Sequence, residues 1–155
     1  MQDGAQLRYG RINPNAGVDS TFPAFWAASQ VVSAKSGKLV YIDAAGRAAL
    51  CTGSVAKIVG EAREYARTPT VDDPVIIDRD LNAIYRVPVN GGTFVKAMIG
   101  KTCDITISAN IQGADLTASA RDIVMIVNGD LVNNLWVDVV IVPDGTLLGQ
   151  ATGVV

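Results

Sequence analysis

The most suggestive short motif in this sequence is Gly100-Lys101-Thr102, which has the form of the end of a phosphate-binding loop. The full pattern G-x-x-x-x-G-K-[ST] needs a glycine five residues before the second glycine, and Val95 stands there instead. A valine keeps the backbone from forming the cradle, so the motif reads as a helix stop followed by a strand start. Asp72, Asp73, Asp78 and Asp80 gather around Pro74-Val-Ile-Ile77 and offer oxygen ligands. Their spacing does not fit a calcium loop, and they read as solvated strand-end carboxylates. Asp43 with Asp138, or Glu61 with Glu64, would be carboxylate pairs for acid and base work, but nothing in the sequence brings either pair together. Neither a G-x-S-x-G elbow nor a G-x-G-x-x-G loop occurs. The chain also has no histidine, which removes Ser-His and Cys-His nucleophiles and histidine-ligated zinc. The expectation is a non-enzyme with no catalytic residue, no metal ligand and no cofactor.

The two cysteines, Cys51 and Cys103, are far apart in a chain large enough to fold without staples, so both read as buried reduced thiols. At 155 residues the chain has room for one hydrophobic core. Charged residues make up 18%, against about a quarter in an average globular protein, while 49% are apolar and the mean hydropathy is +0.28. Such a surface must be poor in charge, and apolar surface left over is usually covered by a partner. Formal net charge is −2, and the 13 Lys and Arg are scattered, so no basic row exists to neutralise a phosphate backbone. Nucleic acid is not an expected partner. Phe22 to Val32 is too short to cross a bilayer, and it follows Asp3 and Asp19, so neither a membrane span nor a secretory leader is expected.

These residues must be positioned by strands. Residues 1–37 carry Gly4, Gly10, Pro14, Gly17, Pro23 and Gly37 and are expected to form an extended N-terminal arm without a long helix or paired strand. The arm holds Tyr9, Phe22, Phe25 and Trp26, and a disordered tail would lack such aromatics. Either they cover one end of the chain's own domain, or they anchor on a neighbouring subunit. From Lys38 onward, short apolar runs alternate with turn residues. Lys38–Asp43 and Arg47–Thr52 flank the turn Ala44-Ala-Gly46 as a hairpin, and further strands are expected at Lys57–Arg63, Pro74–Asp78, Ala83–Val89, Cys103–Ser108, Ile123–Asn128 and Leu135–Val142.

In the last run Leu135, Val137, Val139 and Ile141 share one face by the two-residue period, and Trp136, Asp138, Val140 and Val142 share the other. Pro88 marks its run as an edge strand or a bulge. Asn90-Gly91-Gly92 and Asn128-Gly129-Asp130 supply turns, and Val142-Pro143-Asp144-Gly145 closes the final strand. Thr93–Gly100 is the one expected short helix, with Phe94, Ala97 and Met98 on one face; 111–122, small and polar, reads as a surface loop. The fold class is therefore all-β: one barrel- or sandwich-like domain over 38–145, preceded by the arm and followed by a tail at 146–155.

The ordered elements Gly37-Lys-Leu-Val-Tyr-Ile-Asp43, Ile58-Val-Gly-Glu-Ala62, Ala83-Ile-Tyr-Arg-Val-Pro-Val89, Ile99-Gly-Lys-Thr-Cys-Asp104 and Trp136-Val-Asp-Val-Val-Ile-Val142 carry a resemblance. Over residues 37 to 142 the chain resembles the small capsid-decoration, or cement, proteins of tailed phages. None of these segments is chemically diagnostic, and the arm lies outside the resemblance. It implies a virion protein on the capsid exterior, made in the host cytoplasm. Such a protein binds the major capsid protein, associates with itself as a homotrimer and bridges neighbouring capsid subunits. Phe22, Phe25 and Trp26 on the arm, with Trp136, are the residues expected at a protein interface. Alternatives are a tail-tube or head-completion protein, or a carbohydrate- or ligand-binding β-domain in which Trp26 or Trp136 would stack on a sugar.

Overall fold

The structure, a computed structural model, describes residues 9–12, 21–53, 57–80, 83–121 and 123–142. In chain order the strands are β1 (Gly10–Arg11), β2 (Thr21–Phe25), β3 (Leu39–Ile42), β4 (Ala48–Leu50), β5 (Gly60–Arg63), β6 (Pro74–Asp78), β7 (Tyr85–Gly91), β8 (Thr102–Ser108), β9 (Ile111–Asp115), β10 (Val124–Gly129) and β11 (Trp136–Ile141). The helix expected at Thr93–Gly100 is reduced to a 3-10 turn at Lys96–Met98, with Phe94 buried before it and Gly100 (φ 83°) ending it. Ala97 is exposed rather than on a packed face.

Two sheets divide these strands. In the first, β7, β11, β10, β8 and β9 pair in that order, and β9 returns to pair with β7 in parallel, so the sheet closes into a barrel. β1 adds to the first half of β7, opposite Arg86 and Tyr85. The second sheet runs β2-β6-β5-β3-β4 and curls toward closure, because Trp26 bridges to Ala48 and the Ala27 N–H donates to the Ala48 carbonyl at 2.9 Å.

The pleat explains how one chain fills two cores. Alternate residues of a strand point to opposite faces, so β3 sends Leu39 into the barrel's core and Val40 into that of the second sheet. Cys51 joins Leu39 in the first core, beside Tyr85, Val87, Ile105, Val124, Val137 and Val139. The second core holds Ala24, Trp26, Leu50, Ala62, Val75 and Ile77. Both cysteines are free thiols, as the spacing predicts. Burial pushes the Cys103 thiol up to about 12 and Cys51 higher still.

Gln112 pins the two sheets together. Its side-chain oxygen accepts from Leu39 N–H at 2.7 Å, while its amide nitrogen donates to the carbonyls of Leu39 (2.7 Å) and Cys51 (3.1 Å). Its own backbone N–H donates to the Ser36 hydroxyl at 2.9 Å. Each polar atom of this fully buried side chain is satisfied by backbone of the other sheet.

Two expectations are corrected, and a third, left open as an edge strand or a bulge, is resolved in favour of the bulge. First, the arm was to hold no paired strand, yet β1 and β2 are both paired and lie before residue 38. β2 forms despite Pro23 because Phe22, Ala24 and, just past the strand, Trp26 share the core face, and proline is tolerated at a sheet edge. Second, 111–122 is not all loop. β9 crosses it, entered by a tight turn in which Ala109 (φ 49°) and Asn110 (φ 62°) both adopt positive φ. Its Gly113 is required, because a Cβ there would run into the Pro88 carbonyl oxygen and the Asn90 side chain. Third, β7 is not an edge strand. Pro88 falls between the stretch paired with β1 and the stretch paired with β9, and the expected irregularity follows at Val89–Gly91. The face of β11 that holds Val137, Val139 and Ile141 is buried, whereas Leu135, which precedes the strand, is 53% exposed. The C-terminal tail and the turn at 143–145 lie outside the described residues.

Candidate interaction surface

β2, β6 and β5 present their second face outward. The register sets three rows across it: Thr21–Asp78–Glu61, Pro23–Ile76–Arg63 and Phe25–Pro74. Parity decides this, because Ala24, Ala62, Val75 and Ile77 are taken by the core and leave the alternate residues outside. Apart from Arg63 at one end, the lower two rows are apolar: Phe25 is 54% and Ile76 43% exposed, and both prolines are exposed. A shallow groove of about 310 Å³ runs between Pro23, Pro74, Ile76, Arg63 and Arg67.

Arginines border this face and are oriented by carboxylates. Arg67 donates to Glu64 at 2.8 Å and to Asp73 at 3.1 Å, and Arg63 donates to Asp78 at 3.1 Å. Burial alone would raise the Glu64 carboxyl. Hydrogen bonds from Arg67, from the Trp26 indole N–H at 3.0 Å and from the Tyr65 backbone hold it below the ordinary value.

The upper row is polar and receives β1. The Arg11 guanidinium donates to Asp78 at 3.2 Å and to Asp80 at 2.5 Å, and its backbone N–H donates to Glu61 at 3.2 Å. Gly10, at φ 101°, lies flat against the Glu61 carboxylate, where any Cβ would collide with Oε1. Burial pushes the Glu61 carboxyl up to about 7, against the opposing pull of Lys38 and of Arg11, with Asp78 adding to the rise.

The four aromatics expected at an interface separate. Trp26 is fully buried in the chain's own core, and Phe22 packs beside it half-buried, so for these two the first of the two sequence alternatives fits. Phe25, one residue away, points outward. Trp136 is half-buried on the barrel, and one face of its ring is covered by the Arg86 guanidinium, whose Cζ lies 3.7 Å from the centroid. Arg86 in turn forks onto buried Asp138 at 2.8 and 2.9 Å. Sequence reasoning missed Ile76, whose exposure follows from its parity in β6. It also missed Arg11, which no local pattern distinguishes from a solvated charge.

The carboxylates that suggested chemistry are dispersed among arginines. Asp72 pairs with Arg47, Asp73 with Arg67, and Asp78 and Asp80 with Arg11. Asp43 caps its own hairpin turn, accepting from the N–H groups of Ala45 and Arg47, while Asp138 lies on the other sheet. Glu61 and Glu64 serve Arg11 and Arg67 separately. Among the described residues no group of three or more histidine, cysteine, aspartate or glutamate side chains is placed to hold a metal ion. No helix among them is long and apolar enough to cross a membrane.

No protein-family model, curated protein or solved structure matches the chain.

Proposed function

We propose that this chain is a non-enzymatic virion structural protein of the capsid-decoration kind. It binds the outside of an icosahedral phage shell as a homotrimer and bridges neighbouring copies of the major capsid protein. The observation that carries the reading is the outward face of β2 and β6, where Pro23, Phe25, Pro74 and Ile76 form an apolar surface on regular strands, bordered by arginines. An apolar face held on rigid strands and rimmed by charge has the anatomy of a protein interface. Strand-borne side chains also lose little freedom on binding, which favours affinity. The resemblance over residues 37 to 142 supplies the shell as partner, and the mechanism is linkage: each bound copy covers a joint and favours the closed shell.

Light scattering after size exclusion tests the trimer. The expected mass is about three times 16.2 kDa, unchanged in Phe25→Asp if that residue faces the shell rather than a sister copy. A mass of 16.2 kDa at every concentration counts against the trimer, and a larger ring favours the tail-tube or head-completion alternative.

A further inference from the structure

β1 occupies a seat that other parts of the molecule build completely. The seat consists of Glu61 on β5, Asp78 at the end of β6, Asp80 just beyond it, and Tyr85 and Arg86 of β7 with Ile84 just before them. What β1 supplies is a short extended segment with three matched features. Gly10 has no Cβ to meet Glu61, Arg11 reaches two carboxylates at once, and the Ile12 N–H donates to the Ile84 carbonyl at 2.8 Å. This is strand addition with an arginine anchor: main-chain hydrogen bonds set the register and the acidic pair sets the specificity.

The connection leaving the seat is long for what it must span. Thr21 pairs with Asp78, the residue that Arg11 also contacts, so the chain leaves the seat and re-enters the sheet beside the same side chain. Eight residues, 13–20, join the two points. A segment of that length spans up to about 30 Å when extended. Among the described residues the main-chain attachment to β7 includes two ladder pairs and the Ile12–Ile84 hydrogen bond, beside the Arg11 contacts to Glu61, Asp78 and Asp80.

We propose that this seat accepts the β1 segment of a second copy of the chain, so that neighbouring copies exchange N-terminal arms. The contacts are the same whether the arm comes from its own chain or from a neighbour, so exchange keeps every bond and adds a link between copies. The inference rests on the seat and does not depend on a capsid.

The test uses the full chain carrying single cysteines at positions that face each other across the β1–β7 pairing. Ile12→Cys and Ile84→Cys are prepared separately, one of them isotopically labelled, then mixed at high concentration and oxidised; Cys51 and Cys103 are buried. Directly opposed antiparallel positions have Cβ atoms within about 5.5 Å, close enough to bridge with a small adjustment. The expected result is a disulfide joining the labelled to the unlabelled chain, with its yield several-fold lower when Arg11→Ala is added to the Ile12→Cys chain. Absence of the cross-species bond overturns the proposal, as does a yield indifferent to Arg11→Ala. A trimer by light scattering without the cross-species bond would leave the capsid reading standing and remove arm exchange.

Discussion

Two polar side chains, half-buried Glu61 and fully buried Gln112, show what single residues contribute. Glu61 has a folded-state value of about 7, above the ordinary 4.5, so the folded protein holds its proton more tightly than the unfolded chain does. Its contribution is therefore favourable below the unfolded value and is lost as pH rises toward 7. Glu61→Gln is expected to unfold at higher denaturant than the parent at pH 8, by about 1–3 kcal/mol, with the difference shrinking toward pH 5. Urea titrations at the two pH values check this, and an equal effect at both would contradict it. Gln112→Leu removes an acceptor and a donor that satisfy three backbone groups of the other sheet. It should cost about 3 kcal/mol or more, read in the same titration. Neither role was legible in the sequence. The partners of Gln112 lie 61 and 73 residues away, and Glu61 differs from other glutamates only through the strand that folds over it.

At the scale of elements, periodicity did most of the work where strands are short and continuous. β6 spans Pro74–Asp78 as read, and the β3–β4 hairpin closes around Ala44-Ala-Gly46. The failures have physical causes. Pro23 disguised β2, because local rules penalise a proline in a strand without knowing that the strand lies at the end of its sheet. Gly113 disguised β9; it is a glycine because Pro88 and Asn90 of β7 pass too close for a Cβ. The end of β2 also provides a sharp contrast between Phe25 and the residue that follows it. Trp26→Ala should cost about 3–5 kcal/mol by emptying the second core, whereas Phe25→Ala should change stability by less than about 1 kcal/mol. Thermal unfolding of both variants checks the assignment of faces, and comparable losses would contradict it. Of the four aromatics named from the sequence, parity alone could have separated Phe25 from Phe22 and Trp26, once β2 was accepted as a strand.

At the scale of the whole molecule, two small β units share one chain, joined through β3, the Gln112 contacts and the Arg11 seat. The apolar face of β2 and β6 adjoins that seat on the same side of the same sheet. Arm exchange and partner docking would therefore act on neighbouring surfaces, which suits a protein that ties subunits together. The low charge and the absence of histidine pointed to such a role, but which face would be used became visible only with the strand register. The most direct measurement is cosedimentation with purified icosahedral shells that lack this protein, using the parent chain and the folded double variant Phe25→Asp/Ile76→Asp. The account predicts saturable binding of the parent at a fixed ratio, with a higher shell melting temperature, and at least a tenfold loss of affinity in the variant. A parent that stays in the supernatant, or a variant that binds as well as the parent, would contradict it.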